Sequence, residues 1–269
     1  MSGSDFRFEL DRGVAILRLH RPSHDNAFSA EMGRALGEAY RRCDEDDEIR
    51  VAVLTGAGRA FCVGADLAAG ADTFASRDPR HFSAAAVSPP AFAIRKPVIA
   101  AVNGHAVGLG LTLALQCDIR LFAREGRYGI LQVRRGVMPD AYAHFTLPRI
   151  VGFARAADLM LTGRKLDGEQ AVALGLASRA LPADEVLPAA LAIARDIATH
   201  TAPLSVAVTK RLLWESGNLE PGDVERKETA LHHHLMGRAD ASEGVTAWLE
   251  RRTPRWTASV RRDWPEWPD

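Results

Sequence analysis

Residues 97–117, PVIAAVNGHAVGLGLTLALQC, carry no charge, so this stretch must lie either in a protein core or in a membrane. Asn103, His105 and Gln116 interrupt its apolar character, and its three glycines weaken a continuous helix. A membrane span is therefore disfavoured. The pattern predicts a buried strand, a tight turn and a buried helix in succession.

The glycines of this stretch need a reason of their own. Gly108 and Gly110 are followed by Leu111, Thr112 and Leu113, so neither a dinucleotide fingerprint nor the lysine of a phosphate loop is present. Glycines at the start of a helix let free backbone N–H groups come close to an anionic oxygen. This arrangement is typical of an oxyanion hole, which we take as the working hypothesis.

Composition narrows the partners and the compartment. The formal net charge is zero at pH 7, which gives no overall attraction to nucleic acid or to an anionic membrane. Three cysteines, an odd number without metal-type spacing, fit a reducing compartment, and the N-terminal MSGSDFRFELDRG lacks the apolar segment of a secretory signal. We therefore expect a cytoplasmic protein with no metal site, no nucleic-acid partner and no membrane partner.

The first two thirds of the chain predict α/β layering. Residues 5–10 and 14–20 alternate around DRG like a hairpin, and Ser29 can cap a following helix. Residues 51–56 and 96–104 are short β-branched runs that predict buried strands. Strand, loop and helix recur in this order, as expected of an α/β fold.

The last third is helical in pattern. Asp184 is predicted to cap an alanine-rich helix, and Asp240 with Glu243 is predicted to form a capping box. We divide the chain into a core at 1–195 and a helical region at 196–269.

Three sites that look reactive have simpler interpretations. The histidines at 232–234 point about 100° apart on a helix, which favours a solvated face over a metal site. Cys62 is interpreted as a small buried hydrophobe rather than a nucleophile. Asp140 and His144 could pair on a helix, but no G-x-S-x-G elbow supplies a serine.

Five blocks of the sequence occur in a recognisable order. They are RPSHDNAFSAEM, VAVLTGAGRAFCVGADLAAG (51–70), KPVIAAVNGHAVGLGLTLALQCDIRLFA (96–123), the segment 126–176, and ADASEGVTAWLERRTPRW. Together they resemble the enoyl-CoA hydratase/isomerase (crotonase) superfamily. The resemblance implies an α/β fold, with a crotonase-like spiral core of repeated β-β-α units and a C-terminal α-helical oligomerisation region. It also implies an acyl-CoA thioester substrate, with CoA as part of the substrate and no separate cofactor, and a homotrimer or dimer of trimers.

The family's oxyanion hole consists of two backbone N–H groups. By motif these are the N–H of Ala65, in the GAD loop, and the N–H of Leu109, at the glycine-rich helix start. Leu109 stands where the family usually has glycine, so its side chain needs an allowed φ and can narrow the acyl pocket. Two such donors would stabilise the enolate formed when a thioester loses its α-proton.

The family's two catalytic glutamates are replaced here by Thr112 and Gln132. Neither can act as a general base, although Gln132 can still orient a water or a carbonyl. Asp140 lies where many hydratases have glycine and where dienoyl-CoA isomerases and 4-chlorobenzoyl-CoA dehalogenases carry a functional aspartate. Capping of the loop after Pro139 is the structural alternative.

A single carboxylate suffices to move a proton between two carbons, so double-bond isomerisation is the favoured activity. The alternatives are an atypical enoyl-CoA hydratase with water oriented by Gln132, a catalytically retired acyl-CoA-binding protein, and a hydrolase with water near Asp140.

The resemblance also implies contacts with the CoA moiety. The loop from Val63 to Ala68 should meet the pantetheine and adenine, while Trp248 and Arg251 on the last helix should meet CoA across a subunit boundary. An exposed helix surface is the alternative for those two. The predicted substrate-binding residues are Arg21, Val63, Asp66, Leu67, Ala68, Gly108, Thr112, Gln132, Trp248 and Arg251.

Overall fold

The structure, a computed structural model, describes residues 5–75 and 83–268. Its strands are β1 (Phe6–Asp11), β2 (Val14–Leu19), β3 (Val51–Gly56), β4 (Ala60–Cys62), β5 (Val98–Val102), β6 (His105–Val107), β7 (Ile119–Ala123), β8 (Tyr128–Gly129) and β9 (Arg179–Leu181). Its α-helices are α1 (Ala30–Glu45), α2 (Leu109–Ala114), α3 (Ala143–Val151), α4 (Phe153–Thr162), α5 (Gly168–Ala173), α6 (Ala183–His200), α7 (Pro203–Ser216), α8 (Pro221–Met236) and α9 (Ala239–Leu249).

The strands form two sheets. Six strands pair in the order β1-β2-β3-β5-β7-β9, and three short strands pair in the order β4-β6-β8. The predicted hairpin is confirmed, with β1 antiparallel to β2 and Phe6 opposite Leu19. The remaining pairs are parallel.

Each turn of the chain contributes one strand to each sheet. β3 is followed by β4, β5 by β6 and α2, and β7 by β8, so the second sheet grows in step with the first. This repetition places the loops after β4, β6 and β8 side by side. The three segments that the sequence singles out therefore meet at one place in the fold.

The large sheet is buried on both faces, as expected of strands with continuous apolar sequence. Val51 and Val53 pack in a cluster with α6, while Ala52 and Leu54 pack on the opposite face with α1. Residues 97–117 form β5 and α2, as predicted, but the short strand β6 lies between them where the pattern predicted only a turn. None of the helices in the described parts of the chain combines the length and apolarity needed to cross a membrane.

The predicted helix caps have mixed outcomes. The Ser29 hydroxyl accepts a hydrogen bond from the Met32 N–H at 3.1 Å, which confirms that cap. The Asp184 cap is wrong, because α6 starts after Pro182 and places Asp184 inside its first turn.

The predicted capping box is also wrong. α9 is capped at Arg238, and the buried Asp240 carboxylate instead accepts hydrogen bonds from the backbone N–H groups of Thr257 and Ala258. Glu243 pairs with Arg252. Residue 195, the predicted division of the chain, falls within α6, which packs against the large sheet.

Candidate active site

The loop after β4 is held against the end of β6 by a glycine. Gly64 has φ +89°, and a Cβ there would lie 2.8 Å from the Val107 carbonyl oxygen. On its other side, the Gly64 carbonyl accepts a hydrogen bond from the Phe28 N–H at 2.8 Å, and Phe28 forms a parallel bridge with Ala65. The position of the Ala65 backbone is therefore fixed from two directions.

The start of α2 lies directly beside this loop. Leu109 is the first residue of the helix, after Gly108 with φ +54°, so its N–H is one of the donors that a helix leaves without an internal partner. A methyl group on Gly110 would overlap the Cys62 carbonyl oxygen, and the Cβ position of Gly64 is 3.5 Å from the Leu109 nitrogen. The glycines thus bring the GAD loop and the helix start into contact.

Leu109 and Thr112 both point into packed surroundings. Leu109 is 8% exposed and helical, so its side chain does not require a strained backbone. Thr112 is fully buried, and its hydroxyl donates to the Leu109 carbonyl at 3.1 Å. Its hydroxyl hydrogen is therefore engaged within the helix.

Gln132 and Asp140 form a pair next to the helix start. Gln132 opens a 3-10 turn (Gln132–Arg135) after β8 and is 8% exposed, and its Nε2 donates to Asp140 Oδ1 at 3.0 Å. The Gln132 Oε1 lies 3.8 Å from the position that a Cβ on Gly108 would occupy. The structure thus brings together two of the residues predicted from the sequence to belong to the site.

The Asp140 carboxyl is half-buried. Burial raises its pKa, and this effect is opposed by the hydrogen bond from Gln132 and by one from the Asp140 backbone N–H. Desolvation favours the neutral acid, whereas the amide donor favours the carboxylate. Such a group is suited to accept and return a proton.

The backbone after Asp140 is strained. Ala141 has φ +49° and Tyr142 has φ +62°, in the left-handed region that costs non-glycine residues about 1–2 kcal/mol. The segment is held by the Ala141 N–H, which donates to the Ala84 carbonyl at 2.7 Å, and by the Gln116 Nε2, which donates to the Ala141 carbonyl at 3.0 Å. α3 begins directly afterwards.

Gln116 is a supporting residue that sequence reasoning missed. Its amide also accepts from the Ala91 N–H at 3.4 Å, so it connects the end of α2 with two other segments. The signal was present, because Gln116 is one of the polar residues in the uncharged stretch 97–117. We interpreted it only as an interruption of apolar character.

Arg21 holds the GAD loop from outside. Its guanidinium donates to Asp66 at 3.0 Å and to the Ala27 carbonyl at 2.7 Å, and it lies 3.5 Å from Asp5. Asp66 also accepts from the Ala68 N–H, and these two donors lower the pKa of its carboxyl. Arg21 thus orders the loop.

The outer residues of the loop are open to solvent. Leu67 is 50% exposed, Ala68 is exposed, and Val63 is partly buried.

Trp248 and Arg251 lie on the C-terminal side. Trp248, on α9, is 78% exposed, and Arg251 follows the helix with an exposed side chain. Within one chain both residues face outward.

The other reactive-looking residues do not form sites. Cys62 is fully buried, and burial raises the pKa of its thiol to about 12, in agreement with the interpretation as a small hydrophobe. His232 and His233 are exposed on α8. His144 is exposed on α3, while Asp140 is bonded to Gln132. Across residues 5–75 and 83–268, no cluster of three His, Cys, Asp or Glu side chains could hold a metal ion.

Comparison with known proteins gives consistent matches over nearly the whole chain. The family model for enoyl-CoA hydratase/isomerase matches residues 9–259. An enoyl-CoA hydratase of Alternaria alternata is 35% identical over 245 residues, which cover 90% of this chain and 82% of that protein.

Solved structures agree with the sequence matches. A crystal structure described as a "probable enoyl-CoA hydratase/isomerase" from Mycobacterium abscessus has a TM-score of 0.91 at 55% identity, covering 94% of this chain and 99% of that one. An enoyl-CoA hydratase from Mycobacterium marinum has a TM-score of 0.86 at 34% identity, covering 95% and 99% of the two chains. The predicted α/β fold, with two sheets and C-terminal helices, is thereby confirmed.

Proposed function

The chain belongs to the enoyl-CoA hydratase/isomerase family and acts on acyl-CoA, and we propose that it moves a double bond along the acyl chain with Asp140 as acid and base. The thioester carbonyl accepts hydrogen bonds from the Ala65 and Leu109 N–H groups. These donors stabilise the negative charge that develops on the oxygen in the transition state. The contact between the two loops that carry them supports this role.

The reaction begins when Asp140 takes a proton from C2 of a 3-enoyl thioester. The electron pair of the broken C–H bond forms a dienolate whose charge rests on the thioester oxygen. Asp140 then returns the proton to C4, and the double bond is left between C2 and C3. One carboxyl suffices for both steps because the proton it accepts is the one that it donates.

The half-buried Asp140 beside the oxyanion loops is the observation that carries this proposal. Its position after Pro139 would be filled equally well by glycine or asparagine if it only shaped the loop. Partial burial instead costs free energy that a purely structural residue could avoid. A catalytically retired acyl-CoA-binding protein would have no need of this carboxyl.

A second candidate function is hydration of a 2-enoyl thioester with water oriented by Gln132. The observation in its favour is that Gln132 Oε1 is buried without a hydrogen-bond donor among the described residues. A water held there could add to C3 while Asp140 handles the proton. Formation of an ¹⁸O-labelled 3-hydroxyacyl product in labelled water would favour hydration over isomerisation.

The remaining predicted residues complete the substrate site. The loop from Val63 to Ala68 receives the pantetheine and adenine, with Arg21 fixing the loop through Asp66. In a trimer or a dimer of trimers, Trp248 and Arg251 contact the CoA bound to a neighbouring subunit. Large exposed apolar side chains support burial in an assembly: Leu213, Met236, Val245, Trp248 and Leu249.

Asp140→Asn tests the proposal, because it keeps the shape of the side chain and removes the proton acceptor. We expect kcat to fall by about 10²-fold or more, with acyl-CoA affinity little changed. Exchange of solvent deuterium into C2 or C4 should fall in parallel. Asp196→Asn, the same change on the exposed surface of α6, is the control. Full activity in Asp140→Asn, on a thioester that the unmodified enzyme turns over, would refute the role.

A further inference from the structure

Two buried glutamines near the site differ in what their amides bind. Gln116 uses both ends on backbone groups, the Ala91 N–H and the Ala141 carbonyl. Gln132 uses one end on the Asp140 carboxylate, and its Oε1 has no donor among residues 5–75 and 83–268. Gln116 therefore connects parts of the scaffold, whereas Gln132 has Asp140 as its polar partner.

A glutamine placed for stability alone would not be held in this way. Burying an amide with an unpartnered oxygen costs free energy that methionine, of similar shape, would avoid. The orientation of the Gln132 amide is also set by Asp140, because a carboxylate oxygen only accepts and so requires the NH₂ end. The contact with Asp140 is what the amide provides at this position.

We infer that Gln132 is the positioning residue of Asp140, holding the carboxylate in its ionised form and in one orientation beside the reacting carbons. This inference rests on the proposed role of Asp140 as the base. It differs from water orientation, because it uses the Nε2 end of the amide rather than the Oε1 end.

Few other groups near Asp140 influence the ionisation of its carboxyl. α2 carries no charged side chain, and His144 on α3 is exposed. In the 3-10 turn that Gln132 opens, Arg134 and Arg135 are exposed, and Arg134 donates to the Thr162 carbonyl. The influences on the Asp140 pKa are its burial, the Gln132 amide and the Asp140 backbone N–H.

Gln132→Met is the direct test, because it keeps the volume and removes the amide donor. A hydrogen bond to a carboxylate favours the ionised form, so its loss should raise the Asp140 pKa by about one unit or more. Carboxyl ¹³C NMR of protein labelled at aspartate measures this without turnover, and the resonance is assigned by its absence in Asp140→Asn. Gln170→Met, the same substitution at the exposed capping box of α5, is the control and should leave the Asp140 titration in place.

Kinetics supply the second readout. Because the base must be ionised, the acidic limb of the plot of kcat/KM against pH should shift to higher pH in Gln132→Met. The plateau value of kcat should also be lower. Gln132→Glu, which is isosteric, places a like charge beside Asp140 and should shift the acidic limb to still higher pH. A merely structural glutamine would leave the acidic limb in place in Gln132→Met, so that variant decides the matter.

The outcomes separate the two proposals. An unchanged Asp140 titration in Gln132→Met overturns the positioning role, even when Asp140→Asn is inactive. If Gln132→Met does not fold, Gln132→Leu, which also removes the amide donor without adding a charge, carries the test. Full turnover by Asp140→Asn would refute the proposed function itself, whatever the Gln132 variants do.

Discussion

Asp118 and Asp140 are both withdrawn from water, but only Asp118 is compensated in full. Its Oδ1 accepts a hydrogen bond from the Trp214 indole at 2.7 Å. Its Oδ2 accepts from the Val98 N–H at 2.7 Å and lies 2.8 Å from the buried Lys210 ammonium. The charge, both oxygens and the surrounding backbone are therefore all satisfied within the scaffold.

The Asp140 carboxylate receives fewer compensating hydrogen bonds than Asp118 and no opposite charge from the residues that the structure describes. Gln132 supplies one neutral side-chain donor, and no cation among the described residues lowers its pKa. Burial therefore raises the pKa of Asp140 with only partial opposition. Asp118 shows that this fold can compensate a buried carboxylate fully with hydrogen bonds and a counter-ion. A half-buried carboxylate with little compensation, next to the start of α2, is a sign of function.

The largest effect should follow from Asp118→Asn. This variant leaves the Lys210 ammonium buried without its counter-ion, although the Ala91 and Lys96 carbonyl oxygens still accept hydrogen bonds from it. Removal of one partner of a buried ion pair costs about 3–5 kcal/mol, which urea unfolding should detect. Activity per folded molecule should be retained. A loss below about 1 kcal/mol would contradict the assignment of Asp118 to the scaffold.

A double-mutant cycle tests whether Asp118 and Lys210 stabilise the fold as a pair. Lys210→Met alone leaves the Asp118 carboxylate with neutral donors only, so it too should destabilise. The double variant should lose less than the sum, with a coupling free energy of about 1–3 kcal/mol. Additive losses would mean that the two side chains stabilise the fold independently, and the contrast with Asp140 would then rest on hydrogen bonds alone.

Sequence patterns predicted the parts of this molecule that depend on local chemistry. The β1–β2 hairpin, the Ser29 cap and the strand, turn and helix in residues 97–117 follow from alternation, capping preference and the placement of glycine. The order of the motif blocks predicted the fold and the proximity of the GAD loop to the start of α2.

Contacts between distant residues could not be predicted in this way. Asp240 was placed at a helix cap because its spacing to Glu243 fits a capping box, but its carboxylate binds the backbone of Thr257 and Ala258. No local rule foresees a partner 17 residues away. The bond between Gln132 and Asp140 is similar, because it depends on how a 3-10 turn and a strained loop fold back on each other.

A smaller effect of opposite sign is expected for the stability of Asp140→Asn. The raised pKa of Asp140 means that ionisation at neutral pH is less favourable in the folded chain than in the unfolded chain. The folded state therefore loses stability as pH rises from the ordinary aspartate range through the raised pKa. Asparagine avoids this cost, so Tm at pH 7 should equal or exceed that of the unmodified protein.

The same linkage gives the control. Below the ordinary aspartate pKa of about 3.9 the carboxyl is protonated in both states, so the difference in stability should shrink as pH is lowered toward that value. A variant that is less stable at pH 7 by an amount independent of pH would indicate that Asp140 is a structural cap of its loop.

The smallest effect concerns the strained backbone that carries Asp140. Ala141 is fully buried with φ +49°, a conformation that glycine adopts without steric cost. In Ala141→Gly the relief of about 1–2 kcal/mol is partly offset by about 0.5–1 kcal/mol of extra chain entropy in the unfolded state. We therefore expect unfolding stability to stay equal or to rise by up to about 1.5 kcal/mol. Each kcal/mol of that rise corresponds to about 2–4 °C in Tm.

Ala143→Gly is the matched control, because Ala143 is equally buried but begins α3 with a helical backbone. There the same substitution should destabilise by about 0.5–1 kcal/mol. If strain at Ala141 aims the carboxylate, Ala141→Gly should lower kcat while its stability holds. Equal destabilisation in the two variants would mean that the left-handed backbone stores no strain. Asp140 would then be held in place by Gln132 and burial alone.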